Sequence, residues 1–154
     1  MSSLSNKIDF AVILRVNHAN PNGDPLNGNR PRTDYAGLGE ISDVCLKRKI
    51  RDRLQDAGFE IFVQSSDRKK DDATSLRDRA DKAFGKKFGG AETTKLACEK
   101  WADVRAFGQL FALPKKKGGD DEGDTCVSIP IRGPVTVQSA FSIHPGAITS
   151  TQIT

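Results

Sequence analysis

The chain holds few residues with which to do chemistry. It has two histidines, His18 and His144, at opposite ends of the sequence, and neither a G-x-S-x-G nor a cysteine-protease signature, so no motif supports a nucleophilic triad. Three cysteines, Cys45, Cys98 and Cys126, are separated by gaps of 53 and 28 residues. That odd, wide spacing excludes both a paired disulfide framework and a C-x-x-C zinc or redox motif, and reads as packed, reduced thiols of a cytosolic protein. No apolar run approaches about 18 residues, the length a membrane helix needs. The opening MSSLSNKIDFAVILRV is interrupted by Asp9 and Arg15 and reads as neither a signal peptide nor a span. The default expectation is a cytoplasmic protein. Aromatic residues are also sparse, at 6%, with eight Phe, one Tyr and one Trp.

What is present is a 154-residue chain with 24 Lys+Arg against 20 Asp+Glu, a net charge of +4, 36% hydrophobic residues and a mean hydropathy of −0.49. These values describe one soluble domain, or a piece of one, with a mild basic surplus. The distribution of charge says more than its sum. Residues 125–154 carry a single charged side chain, Arg132, in a Ser/Thr/Ile/Val-rich text. Before them, Lys115, Lys116 and Lys117 abut Asp120, Asp121, Glu122 and Asp124, a glycine-containing block that reads as a solvated loop. The sequence then stops at Thr154 inside a strand-like stretch, which suggests the front part of a longer protein.

Ile8 to Val16 (IDFAVILRV) is β-branched and nearly continuously apolar, as suits a central strand. Residues 17–34 (NHANPNGDPLNGNRPRTD) hold five Asn, three Pro, two Gly, two Asp and two Arg, which predicts a long loop. Residues 38–57 predict a helix ended by Gly58, with Leu46, Ile50, Leu54 and Ala57 along one face. Phe59 to Gln64 alternates like a second strand, so strand, loop, helix and strand make half of a split β-α-β unit of the ferredoxin or RRM kind. Residues 65–100 are charged and helix-prone around 75–84 and 92–101, which predicts a peripheral helical insertion poor in core residues. In 101–113, Val104, Phe107, Leu110 and Phe111 recur at helical spacing, broken by Gly108. Residues 127–131 and 135–143 then read as two strands or one bent strand around Arg132-Gly133-Pro134.

Candidate chemistry concentrates in two places. In the 17–34 loop, Asn side chains, backbone amides near Gly23 and Gly28, and Arg30 and Arg32 suit phosphate oxygens; an ordinary surface loop is an equal alternative. On the first helix, Lys47, Arg48, Lys49, Arg51 and Arg53 place five cations within seven positions, offset by Asp43, Asp52 and Asp56. Such a ridge can track a phosphate backbone without reading sequence, although a solvated face laced with ion pairs is the commoner identity of a charge run. Asp24 and Asp34, with His18 nearby, could assist RNA cleavage by acid-base or metal chemistry, but solvated turn acids are the plainer reading. The aromatic pattern of a sequence-reading RRM is missing, so any RNA contact should be directed at the backbone.

Four segments in order carry a resemblance: NPNGDP (20–25), DVCLKRKIRD (43–52), WADVRAFGQLFA (101–112) and IPIRGPVTVQSAFSIHP (129–145). Together they resemble the backbone subunit of type I CRISPR surveillance complexes (Cascade), closest to its subtype I-C form, within the RAMP superfamily. The resemblance implies an α+β fold with an RRM-like or ferredoxin-like palm, a helical fingers insertion and a β-hairpin thumb. It divides this chain into palm (1–64), fingers (65–100), return to the palm (101–138) and the start of the thumb (139–154). It implies a non-enzymatic subunit of an antiviral complex, without catalytic residues, metal or cofactor, which polymerises along CRISPR RNA and presents that guide to target DNA. Its partners would be the guide, neighbouring copies and other subunits, with no membrane. Carried onto this sequence, RNA contacts would fall on Asn20, Asn22 and Gly23, on Lys47, Lys49 and Arg51, and on Arg132 and Gln138; Ser142 and His144 follow toward the thumb, and Trp101 and Phe107 would be palm core. The superfamily also contains ribonucleases that cut guide-paired RNA through a loop aspartate, which makes Asp24 and Asp34 the candidates of the alternative reading.

Overall fold

A computed structural model describes residues 4–85, 92–113 and 127–149. The contacts fall into two compact units, Met1–Ile41 with Phe141–Thr154, and Ser42–Ala140. The fold is mixed α+β, with two-stranded sheets among the described residues and no broad sheet.

In the second unit, α1 spans Asp43–Asp56. Ser42 is extended and its Oγ accepts from the Cys45 amide at 3.3 Å, while Asp43 and Arg53 match the helix dipole at the two ends. Gly58, at φ +88°, ends the helix as expected. The start differs from the expectation, because the serine cap begins the helix five residues later and leaves Leu38–Ile41 as a strand. The helices α2 (Leu76–Phe84) and α3 (Thr93–Lys100) fall where sequence places them. At the start of α2, Ser75 Oγ accepts from the Asp78 amide at 3.1 Å and Asp78 in return accepts from the Thr74 amide at 2.8 Å, two otherwise orphaned donors satisfied reciprocally. A short helix, α4 (Ala102–Phe107), follows directly on Trp101.

The core of this unit is an aromatic cluster. Phe62 lies 4.6 Å from Trp101 and 5.1 Å from Phe111 between ring centroids, and Phe84 packs edge-on to Trp101 at 4.9 Å. Ala80, Ala97, Val104 and Ile131 complete it. The helical segment is therefore not poor in core residues as expected: Ala80 of α2 and Ala97 of α3 are fully buried, and Phe84 and Cys98 pack against the cluster. Alanines add little to a hydropathy profile, yet they let two charged helices approach closely on one face.

After Phe107 the helical spacing stops at Gly108, and the chain becomes β4 (Gly108–Leu113), antiparallel to β5 (Val127–Arg132). Phe111 pairs with Ile129, and Gln109 with Ile131, so alternate residues of both strands face the core while Leu110 and Pro130 face out. Gly108 has φ +80°, and a Cβ there would collide with the Ile131 carbonyl; one on Gly133 would collide with the Ala106 carbonyl. The crossing of the two segments requires both glycines. The charge block 115–124 lies outside the described residues.

Phe59–Gln64, expected as a strand, forms no ladder among the described residues. Ile61 and Phe62 are buried, but side chains satisfy the backbone. Asp103 accepts from the amides of Phe62 (2.7 Å) and Val63 (3.0 Å); Arg79 donates to the Phe62 carbonyl (2.7 Å) and Arg48 to that of Val63. Charged groups take the places that neighbouring strands would otherwise hold.

In the first unit, Ile8–Val16 is also not a strand. It has no strand partner among the described residues, and its apolar side chains are exposed, Ile13 at 96%. A β-prone sequence becomes a strand only where another edge supplies the ladder. The 17–34 region, expected as loop throughout, contains a small hairpin of β1 (Gly23–Asp24) and β2 (Arg30–Pro31) around a 3-10 turn at Pro25–Asn27. The chain turns back again after Asp34, with Thr33 bridging Gly39 and the Glu40 amide donating to the Arg32 carbonyl at 2.9 Å. β3 (Leu38–Ile41) then pairs with β6 (Ala140–Pro145). Ser142 Oγ accepts from the Gly39 amide at 2.9 Å and donates to the His144 carbonyl at 2.6 Å.

Candidate nucleic-acid interface

The predicted contact residues fall on both units: Asn20, Asn22 and Gly23 on the first, and Lys47, Lys49, Arg51, Arg132 and Gln138 on the second.

On α1 the cations differ sharply in what occupies them. Lys47 is ion-paired with Asp43 at 3.2 Å, Arg48 lies 3.6 Å from Asp52, and Arg53 lies 3.5 Å from Asp56. The Lys47 ammonium holds the Asp43 carboxyl below its ordinary value. Lys49 is exposed and has no partner among the described residues. Arg51 stands apart from the others. Its side chain is 14% exposed, its Nε donates to Asp103 at 3.0 Å, and its guanidinium sits 5.2 Å from the centre of the Phe107 ring. Asp103 is itself 1% exposed, so one buried carboxylate ties α1, the 62–63 backbone and α4 together. Sequence reasoning did not select Asp103. The signal for it was an acid inside the apolar run WADVRAF, a position that requires partners.

The apolar face read on α1 is only partly covered, since Leu46 and Leu54 are half-buried and Ile50 and Ala57 are exposed. The better-packed side carries Arg48, Arg51 and the buried Gln55, whose Nε2 donates to the Arg68 carbonyl at 2.8 Å. At the N-terminal end, the Asp43 amide donates to Ser139 Oγ at 3.2 Å. That contact sets Gln138, one residue earlier and exposed, beside the turn that carries Lys47. Arg132 is exposed at the end of β5, without a partner among the described residues.

The hairpin of the first unit uses its polar groups internally. Asn20 Nδ2 donates to the Asn29 carbonyl at 2.7 Å and Asn22 Nδ2 to that of Gly23 at 3.1 Å. A Cβ on Gly23 would meet the Asn29 side chain, which would have to turn aside. Asp24 Oδ1 accepts from the Leu26 amide at 3.1 Å, and Asp34 Oδ1 accepts from the amides of Ala36 and Leu38 at 2.9 and 2.8 Å. Both acids offered by the ribonuclease reading thus lock turns. Arg32 pairs with Glu40 at 2.8 Å, while Arg30 is exposed and unpaired among the described residues.

Cys45 and Cys98 are half-buried, and burial pushes the Cys98 thiol up; Cys126 lies outside the described residues. No group of three His, Cys, Asp or Glu that could hold a metal occurs among the described residues, and no helix there is long and apolar enough to cross a membrane.

The chain thus carries a largely ion-paired cationic helix in one unit and a polar, arginine-bearing hairpin in the other. The family model for CRISPR-associated protein Cas7 matches residues 6–154, and the chain belongs to that family. It is 34% identical over 132 residues to the CRISPR-associated protein Cas7 of Haloferax volcanii, an alignment covering 76% of this chain and 36% of that relative. The chain spans about a third of the length of the relative it matches.

Proposed function

We propose that this chain is part of a non-catalytic backbone subunit of a CRISPR surveillance complex, of subtype I-C character, that coats CRISPR RNA and holds it for pairing with target DNA. Family membership over residues 6–154 is the observation that carries the reading. The geometry adds how the guide would be held: by exposed cations that meet phosphates without reading bases. Lys49, Arg132 and Arg30 are exposed cations without acid partners among the described residues, and Lys47 exchanges one surface carboxylate for a phosphate at small cost. Gln138 in one unit and the Asn20–Gly23 segment in the other would each contribute polar contacts of their own. Successive copies would lie along one guide, with other subunits at its ends, inside the cell where the guide is made. The palm, fingers and thumb plan belongs to the whole subunit. The ribonuclease alternative loses support because Asp24 and Asp34 serve as turn caps.

The test is RNA binding by the full-length protein across a salt series. Lys47→Glu with Lys49→Glu should weaken guide binding by more than about tenfold and flatten the salt dependence, each lost phosphate contact lowering the slope by about one. Arg51 is left unchanged, because reversing it would bury a second negative charge against Asp103 and unfold the site. Unchanged affinity at physiological salt would sink the proposal.

A further inference from the structure

The hairpin of the first unit holds two Asn-Gly pairs, Asn22–Gly23 and Asn27–Gly28. In such a pair the side-chain amide lies within reach of the next backbone nitrogen. Glycine, having no Cβ, neither crowds that nitrogen nor restricts the dihedrals that carry it to the asparagine Cγ. The fold treats the two copies of this dipeptide differently.

Asn22 is half-buried and held by the ladder. Its carbonyl accepts from the Arg32 amide at 2.9 Å, its Nδ2 donates to the Gly23 carbonyl at 3.1 Å, and Gly23 pairs with Pro31 against the Asn29 side chain. Swinging the Gly23 nitrogen onto Asn22 Cγ requires that ladder to open. Asn27 is instead the last residue of the 3-10 turn at the tip. It is exposed, and its side chain has no hydrogen-bond partner among the described residues. Leu26 before it is 96% exposed, and Gly28 after it stands at φ +59° with no atom within 4 Å of where a Cβ would lie. Rotating this peptide disturbs the turn and no packed side chain.

We infer that Asn27 is a site of spontaneous deamidation, from which the hairpin protects Asn22. Asparagine is among the thermolabile residues. The Gly28 amide nitrogen gives up its proton to water or hydroxide and attacks Asn27 Cγ. The N–Cγ bond forms, the Cγ–Nδ2 bond breaks, and ammonia leaves with a proton returned by water, which closes a cyclic imide. A second water opens the imide. Cleavage of the N–Cγ bond leaves aspartate in the ordinary main chain, whereas cleavage at the Asn27 backbone carbonyl leaves isoaspartate, with the main chain rerouted through Cβ and Cγ. Either product puts a new carboxylate in the hairpin that carries Arg30. Isoaspartate also lengthens the loop that the Asn29 amide closes on the Asp24 carbonyl at 2.8 Å.

The experiment is storage of the purified full-length protein at neutral pH and physiological temperature, then proteolysis and tandem mass spectrometry to locate each amide-to-acid mass gain and separate aspartate from isoaspartate. Because the ladder must open before Asn22 reacts, Asn27 should react at least about tenfold faster in the folded protein. In denaturant the gap should close, since both sites are Asn-Gly. Asn27→Gln, whose longer side chain closes its ring far more slowly, should give no product at position 27 and leave Asn22 intact. Equal rates at the two asparagines in the folded protein would overturn the inference, as would an Asn27 that stays intact until the protein is unfolded. A rate gap that persists unchanged in denaturant would trace it to flanking sequence and refute the protection by the fold.

Discussion

Two segments carry the same strand-like text and meet opposite fates. Ile8–Val16 is the more apolar, yet its side chains are exposed and it lies in no ladder among the described residues. Phe59–Gln64 is shorter and more polar, yet Ile61 and Phe62 are among the most buried residues described. The difference lies in who satisfies the backbone. The second segment has Asp103, Arg79 and Arg48 to receive and donate its hydrogen bonds, so its apolar side chains can enter the core at no unmet polar cost. Apolar content alone does not bury a segment; partners for its amides and carbonyls must arrive with it.

Removing those partners should break the contrast most strongly. Asp103→Ala strands two amides and the Arg51 guanidinium in a nearly dry site, and should cost about 3–5 kcal/mol in chemical denaturation. A loss under about 1 kcal/mol would show that solvent or another group takes over. Truncating the apolar side of the same arrangement, Phe62→Ala, removes the ring that touches both Trp101 and Phe111 and should cost about 3 kcal/mol or more.

Acid should sharpen the contrast further. Arg79 holds the Asp71 carboxyl below its ordinary value by a direct hydrogen bond, with Nε–Oδ2 at 2.6 Å. The folded state therefore takes up that proton less readily than the unfolded chain. The stability contributed by the pair is present above about pH 4 and is lost as pH falls through the lowered folded value. Asp71→Asn should reduce the acid sensitivity of unfolding, measured as the slope of stability against pH below about pH 4.

The smallest effect belongs to the exposed segment. Ile13→Ser should change stability by no more than about 0.5 kcal/mol, since the side chain has almost no contacts to lose. A loss of 1 kcal/mol or more in the full-length protein would show that Ile8–Val16 is covered there.

Much was legible in the sequence where local chemistry decides. The glycine after Ala57 marked the end of α1, because a left-handed glycine acts within a few residues, and of the apolar positions read after Trp101, Val104 and Phe111 are core while Leu110 is exposed. The cationic ridge was equally visible, and so was the family that its motifs resemble. The candidate site was legible only as a set of charges. Which of them are available depended on contacts distant in sequence: Arg51 is spent on Asp103, 52 positions away, while Lys49, two residues before it, is left in solvent. Asn20 and Asn22, chosen as donors to phosphate, donate to their own hairpin.

The sequence by itself determined the helices, the turn residues and the sign of the surface charge, since each follows from interactions spanning a turn or two of chain. Only the tertiary structure decided which strand-prone segment is buried and which cations are spent on distant acids. Those outcomes depend on hydrogen bonds and ion pairs between residues that meet only when the chain is folded.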